Sequence, residues 1–184
     1  ETGSETENTS ENVQEVYVQK TRCSKTVEHN FAWKINDPKL WSAEDPQLYD
    51  FTIELYDEAG TLQEVIPQKV GFRRFEMKNG IMTLNGKRIV FKGVNRHSFR
   101  PETGRTLSYA KNLEDAELIR SMNMNAVRLS HYPADPEFLD ICDSIGLYVL
   151  DEMPGWHWAH NTINGKQLVR DIVVRDQNHP SVIF

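Results

Sequence analysis

Residues 125–152 read NAVRLSHYPADPEFLDICDSIGLYVLDE. Two short apolar runs, 126–129 and 147–150, bracket a stretch of helical periodicity. Asp135 and Pro136 open that stretch, with proline at the first helical position, where its missing N–H is not needed. Phe138, Leu139, Cys142 and Ile145 then recur on one face. Gly146 closes the helix, because glycine enters the left-handed conformation without strain. The flanking apolar runs do not alternate with polar residues, which is the pattern of parallel strands covered on both faces. The stretch therefore predicts a strand, a helix and a second strand parallel to the first.

The same alternation continues outward. Downstream, residues 166–176 predict another helix, with Leu168, Val169, Ile172 and Val173 as its apolar positions, and 181–184 begin a further strand. Upstream, 89–94 form an apolar strand, and Asn112 is placed to cap a helix carrying Leu113, Ala116, Ile119 and Met122. Before that strand, 81–84 and 87–91 flank Asn85-Gly86, the pair that supplies the two positive φ angles of a type I′ hairpin turn. From residue 75 on, both a doubly wound sheet and a (β/α)8 barrel fit. No glycine-rich phosphate loop follows the first strand, which counts against dinucleotide binding.

Before residue 75 the period is two. Val27, His29, Phe31, Trp33 and Ile35 alternate with mostly polar neighbours, and Phe51, Ile53 and Leu55 alternate again, predicting one buried face each. Asp37-Pro38, Asp45-Pro46 and Ala59-Gly60 mark the turns. Residues 62–70 form another strand, and Pro67 places it at a sheet edge or strand end. About four strands are visible, fewer than a complete immunoglobulin-like sandwich needs. Residues 1–12 are a polar tail. The expected organisation is this tail, a partial immunoglobulin-like β-sandwich over 13–74, and the first half of a barrel over 75–184.

Composition narrows the partners. The 184 residues are 39% hydrophobic and carry a net charge of −6. An acidic chain is a poor match for phosphate backbones, so nucleic acid is not an expected partner. No apolar run approaches the roughly 20 residues of a membrane span, so no membrane is expected either. The two cysteines, Cys23 and Cys142, fall in different predicted domains and are expected to be free thiols. Unpaired cysteines favour a reducing, cytoplasmic compartment without fixing it.

Polar residues collect after each parallel strand. Asn95, Arg96 and His97 follow the first. Arg128 lies in the second, and Ser130, His131 and Tyr132 follow it. Asp151 and Glu152 follow the third. In a βα barrel these positions share the C-terminal mouth, where active sites are built. Asp151 and Glu152 cannot face each other, since neighbours in an extended strand point to opposite sides; one projects into the mouth and the other braces the outside. A metal-dependent hydrolase using His97, His131, His157 and His160 is a competing reading, weakened by the lack of a defined ligand spacing. A non-catalytic carbohydrate-binding or structural role is a third.

The motif from Asn125 to Pro133, with Phe138, Leu139, Asp143, Gly146 and 147–150, resembles the first signature of glycoside hydrolase family 2, which includes β-galactosidases, β-glucuronidases and β-mannosidases. Leu129 departs from it, standing where a small residue is usual. LWSAEDPQLY at 40–49 resembles the end of that family's immunoglobulin-like domain, and VGFR at 70–73 its junction with the barrel. LNGK at 84–87, GVNRH at 93–97 and RDQNHPSVI at 175–183 resemble the barrel itself.

The resemblance implies part of a retaining exo-β-glycosidase, a β-galactosidase first and a β-glucuronidase or β-mannosidase second, acting on a terminal β-linked sugar. It places the acid/base and nucleophile glutamates beyond Phe184, so no catalytic carboxylate is expected among these 184 residues. Asn95, His97, Arg128, His131, Asp151, Glu152 and Trp156 are the expected substrate-binding or site-supporting residues. Some galactosidases hold magnesium with a Glu and a His shortly after the Asp-Glu pair. Trp156 and Trp158 occupy those positions here, MPGW at 153–156 resembles a magnesium-independent branch, and no metal or cofactor is expected. A homo-oligomeric parent is compatible with the sequence.

Overall fold

The computed structural model describes residue 32 and residues 34–156 and 160–184. It divides into two compact units, Glu1–Asn36 and Asp37–Phe184. The polar tail, Cys23, the alternating residues Val27, His29, Phe31 and Trp33, and His157 and Trp158 lie outside the described residues.

In the second unit, Tyr49–Tyr56 (β1) and Leu62–Val70 (β2) pair antiparallel, with Ile53 opposite Ile66 and Thr52 opposite Pro67. The two strands form a sheet of their own, so β2 is an edge strand and tolerates proline. Alternation in 51–55 predicts a buried face, yet Ile53 and Leu55 are about half exposed. The strands form as expected, but no second sheet among the described residues covers them.

Phe75–Lys78 (β3), Ile81–Leu84 (β4) and Lys87–Arg88 (β5) form an antiparallel meander. Asn79 and Gly80 have positive φ angles of 51° and 74°, and Asn85 and Gly86 of 53° and 80°, so both turns carry the paired left-handed residues of a type I′ hairpin. The strand expected over 89–94 starts only at Gly93. The Asn125 side chain accepts from the Lys92 N–H at 2.8 Å and donates to the Val90 carbonyl at 3.1 Å. These bonds occupy the backbone there, and Ile89 and Phe91 pack inward beside Trp41 and Tyr148.

Gly93–Arg96 (β6), Ala126–Leu129 (β7) and Tyr148–Leu150 (β8) are parallel neighbours in that order. Val182 bridges Val149 in parallel, so residues 181–184 start a fourth strand beside β8. Between β6 and β7 runs helix α1, Tyr109–Ser121, capped by Ser108 rather than Asn112. Asn112 is instead buried one turn inside, accepting from Arg96 Nη2 at 2.7 Å. Helix α2, Pro136–Ile145, begins and ends as expected, with Asp135 at its N-cap and Gly146 at φ 80°. A Cβ at Gly146 would meet the Ala43 carbonyl oxygen at 2.2 Å, so only glycine fits this close approach. Helix α3, Thr162–Asp176, is capped by Asn161, which accepts from the Asn164 N–H at 2.9 Å.

Two cores coat the two faces of the parallel sheet. Val127, Leu129 and Val149 meet Ala116, Ile119, Phe138, Leu139 and Cys142 from the helices. Ala126 and Tyr148 face the other way, onto Trp41, Ala43 and Leu84. Trp41 is fully buried, donates its indole N–H to the Asp143 carbonyl at 2.8 Å and packs edge-on to Tyr148. Cys142 is a free thiol whose ionisation burial pushes well up. No helix among the described residues is long and apolar enough to cross a membrane.

Candidate active-site mouth

Pairing register sorts the side chains. Asn95 lies opposite Arg128, and Arg128 opposite Leu150, so these share the face away from the helices. Arg96 and Leu129 lie on the helix face. Arg96 is buried there, over the Phe138 ring, with Nε on Asp115 at 2.8 Å and Nη1 on Ser98 Oγ at 2.9 Å. It ties β6 to α1. The exposed neighbours Asn95 and His97 belong to the mouth.

The mouth is centred on Glu152. Arg128 grips it with two donors, Nε to Oε2 at 2.7 Å and Nη2 to Oε1 at 3.0 Å. This bidentate geometry is the strong form of an arginine–carboxylate pair. His131 Nδ1 lies 3.2 Å from Glu152 Oε1 and 3.5 Å from Arg128 Nη2. A carboxylate only accepts and a guanidinium only donates, so the Nδ1 proton goes to Glu152. The longer Arg128 approach is then not a hydrogen bond. The Ser130–His131 peptide is cis.

Aromatic rings line the same rim. His131 is 4.2 Å from the Trp156 ring and 5.2 Å from His97, both edge-on. The His97 ring lies 6.2 Å from Tyr132, whose hydroxyl donates to the Ser98 carbonyl at 3.2 Å. Arg105 lies 3.6 Å over the other ring partner, Tyr132. The structure thus brings Arg128, His131, Glu152, His97 and Trp156 together, with Asn95 beside them at 3.4 Å from Arg128. Arg105 and Tyr132 at the rim are additions; nothing in local sequence marks Arg105, since its place depends on how the loop after β6 folds back.

Asp151 is the expected residue that stays out. It lies on the helix side, where its carboxyl meets Asp176 at the end of α3. Burial and the Asp176 carboxylate push its pKa up to about 7. His160 also stays out, with Nε2 2.5 Å from the Pro154 carbonyl. Of the four histidines of the competing metal reading, His157 lies outside the described residues, and His160 does not join His97 and His131. Trp156, at one of the two positions that hold magnesium in some galactosidases, offers no oxygen ligand, and Trp158 lies outside the described residues. Asp140, Asp143 and His179 do approach one another, but both Asp143 oxygens are engaged, by His179 Nδ1 at 2.6 Å and the Ser181 N–H at 2.9 Å.

Residues 1–73 match the family model "Glycosyl hydrolases family 2", and residues 75–184 match "Glycosyl hydrolases family 2, TIM barrel domain". The latter resolves the choice left open by the parallel sheet in favour of a barrel. A β-galactosidase of Halalkalibacterium halodurans is 49% identical over 169 residues, covering 82% of this chain and 17% of that protein. One from Streptococcus thermophilus is 42% identical over 168 residues, covering 79% and 16%. Among solved structures, Bacteroides uniformis beta-glucuronidase 3 superposes with a TM-score of 0.72 at 31% identity, covering 81% of this chain and 20% of that one. The Parabacteroides merdae β-glucuronidase gives 0.72 at 27%, covering 81% and 19%. The chain spans about a sixth of the length of the curated relatives it matches. Matched along nearly all of its length, the chain belongs to glycosyl hydrolases family 2.

Proposed function

We propose that this chain forms part of a retaining exo-β-glycosidase, a β-galactosidase, that removes terminal β-linked sugars. Residues 13–74 supply part of an immunoglobulin-like β-sandwich, and residues 75–184 the first half of the catalytic barrel. The observation that carries this reading is the cluster of Arg128, Glu152, His131, His97 and Trp156 at the ends of three adjacent parallel strands, where barrel enzymes build their sites. In this reading His97 and His131 hydrogen-bond sugar hydroxyls, and Trp156 offers an aromatic face to the apolar side of the pyranose. Arg128, steadied by Asn95 and Glu152, orients the nucleophile carboxylate and favours its ionised form.

The galactoside preference is supported by relatives named β-galactosidase that reach 49% identity, against 27% and 31% for the structural neighbours named β-glucuronidase. Chromogenic β-galactoside and β-glucuronide substrates test it in the full-length enzyme that carries this chain. The expected result is a kcat/KM at least roughly 10-fold higher for the galactoside. A preference for the glucuronide replaces the galactosidase reading with the β-glucuronidase one. Turnover of neither removes both.

A further inference from the structure

Asp151 and Glu152 are adjacent, yet they occupy opposite faces of the sheet. Glu152 holds Arg128 and His131 in the mouth. Asp151 is set against α3. Its backbone N–H donates to the Phe184 carbonyl at 2.8 Å, and its Oδ1 accepts from the Glu152 N–H at 2.8 Å. Its Oδ2 is buried and meets no hydrogen-bond donor among the described residues. The neighbour on that side is another carboxyl, Asp176, itself only 1% exposed. A half-buried carboxylate whose inner oxygen is shut from water and a fully buried one in contact with it disfavour both being charged, and a proton between them relieves the repulsion.

The proton's position follows from the rest of the cluster. Asp176 already accepts from Arg175 through both oxygens, Nε to Oδ1 at 2.6 Å and Nη2 to Oδ2 at 2.7 Å. Among the described residues no cation is in hydrogen-bond contact with Asp151. We infer that Asp151 carries a proton and donates it to Asp176, so that its other oxygen fixes the Glu152 backbone and positions Glu152 against Arg128 and His131. Asp151 is thus a positioning residue, a neutral carboxylic acid acting through Glu152. Asp176 and Arg175 face it from α3. Asp135 acts on Arg175 and His179 on Asp176, each at one remove.

Burial and Asp176 push the Asp151 pKa up to about 7, which sets the expected pH dependence. A carboxyl with a raised folded pKa contributes stability below its unfolded value, about 3.9, and loses it as pH rises towards the folded one. Asp151→Asn is the informative variant. Its amide donates to Asp176 at every pH, and its carbonyl still accepts from the Glu152 N–H. Asp151→Ala can do neither.

The test measures Tm from pH 4.5 to 7.5, with kcat and KM on a chromogenic β-galactoside, for wild type and both variants of the full-length enzyme. The Tm advantage of the Asn variant over wild type should grow as pH rises from 4.5 to about 7, while its kcat/KM stays within a few-fold. The Ala variant should lose roughly 10-fold or more, chiefly in kcat, through misplacement of Glu152. Parallel Tm–pH curves for wild type and Asp151→Asn overturn the shared proton. An Asn variant as impaired as the Ala variant overturns neutral positioning. The activity arm rests on the glycosidase reading, whereas the Tm arm does not. A wild type that turns over no glycoside therefore defeats that reading while the Tm curves still decide on the proton.

Discussion

A histidine at a barrel mouth either binds substrate or braces its neighbours, and His97 and His131 divide differently between those roles. His97 is exposed, with the ring edges of His131 and Tyr132 beside it, whereas His131 is three-quarters buried and bonded to Glu152. If both bind sugar hydroxyls that matter most in an oxocarbenium-like transition state, each change to alanine lowers kcat/KM by roughly 10²-fold, about 3 kcal/mol. The two should part in stability: His97→Ala leaves Tm unchanged, and His131→Ala lowers it as well. Unchanged kcat/KM in both, in the full-length enzyme, removes the sugar-binding roles. The positions of these residues were legible because each follows an apolar strand, and the opposed directions of Asp151 and Glu152 followed from strand geometry alone. The partners of Asp151 were not legible. Asp176 ends a helix far along the sequence, and only the tertiary fold brings the two carboxyls together.

Among the elements, those set by local chemistry were legible and those set by distant contacts were not. Helix α2 carries its own signals, Pro136 at the start and Gly146 at the end, and its bounds match. The late start of β6 is due to Asn125, a residue from another element that occupies the backbone of 90–92. In α3, Leu168 and Ile172 are half-buried, but Val169 and Val173 are about half exposed. The fourth strand is held by two clips. Arg73 Nε donates to the Pro180 carbonyl at 2.5 Å, and Asp143 bridges His179 and the Ser181 N–H. Burial opposes the charged form of His179, but the hydrogen bond to Asp143 and the charges of Asp143, Asp140 and Asp176 outweigh it, so its pKa is raised. A raised histidine stabilises fully below its unfolded value, about 6.5, and loses that contribution as pH rises through the folded one. Tm should therefore fall as pH rises above about 6.5, a window that overlaps the upper end of the one in which Asp151 acts, and His179→Gln should flatten that fall. A slope unchanged in the Gln variant assigns the loss elsewhere.

At the scale of the molecule, the parallel sheet separates support from chemistry. One face is sealed by Trp41, Ala43, Leu84 and Tyr148, and the other by α1 and α2, leaving the strand ends as the place where polar side chains gather without crossing a core. Retaining hydrolysis needs two carboxyl groups about 5 Å apart, one on each side of the scissile bond. Among the described residues the mouth offers Glu152 alone. Its two oxygens are committed to Arg128 and His131, and its neighbour Asp151 points to the opposite face of the sheet. Among the described residues no second carboxylate stands opposite Glu152 in that cluster. The 184-residue polypeptide by itself should therefore give no turnover of chromogenic β-galactosides or β-glucuronides above a mock purification. Purified under the same conditions, a Glu152→Gln variant serves as the control. Turnover that follows the polypeptide through purification and disappears in that variant would make Glu152 a catalytic carboxylate, and would show that the second group comes from a residue this geometry leaves out of the mouth.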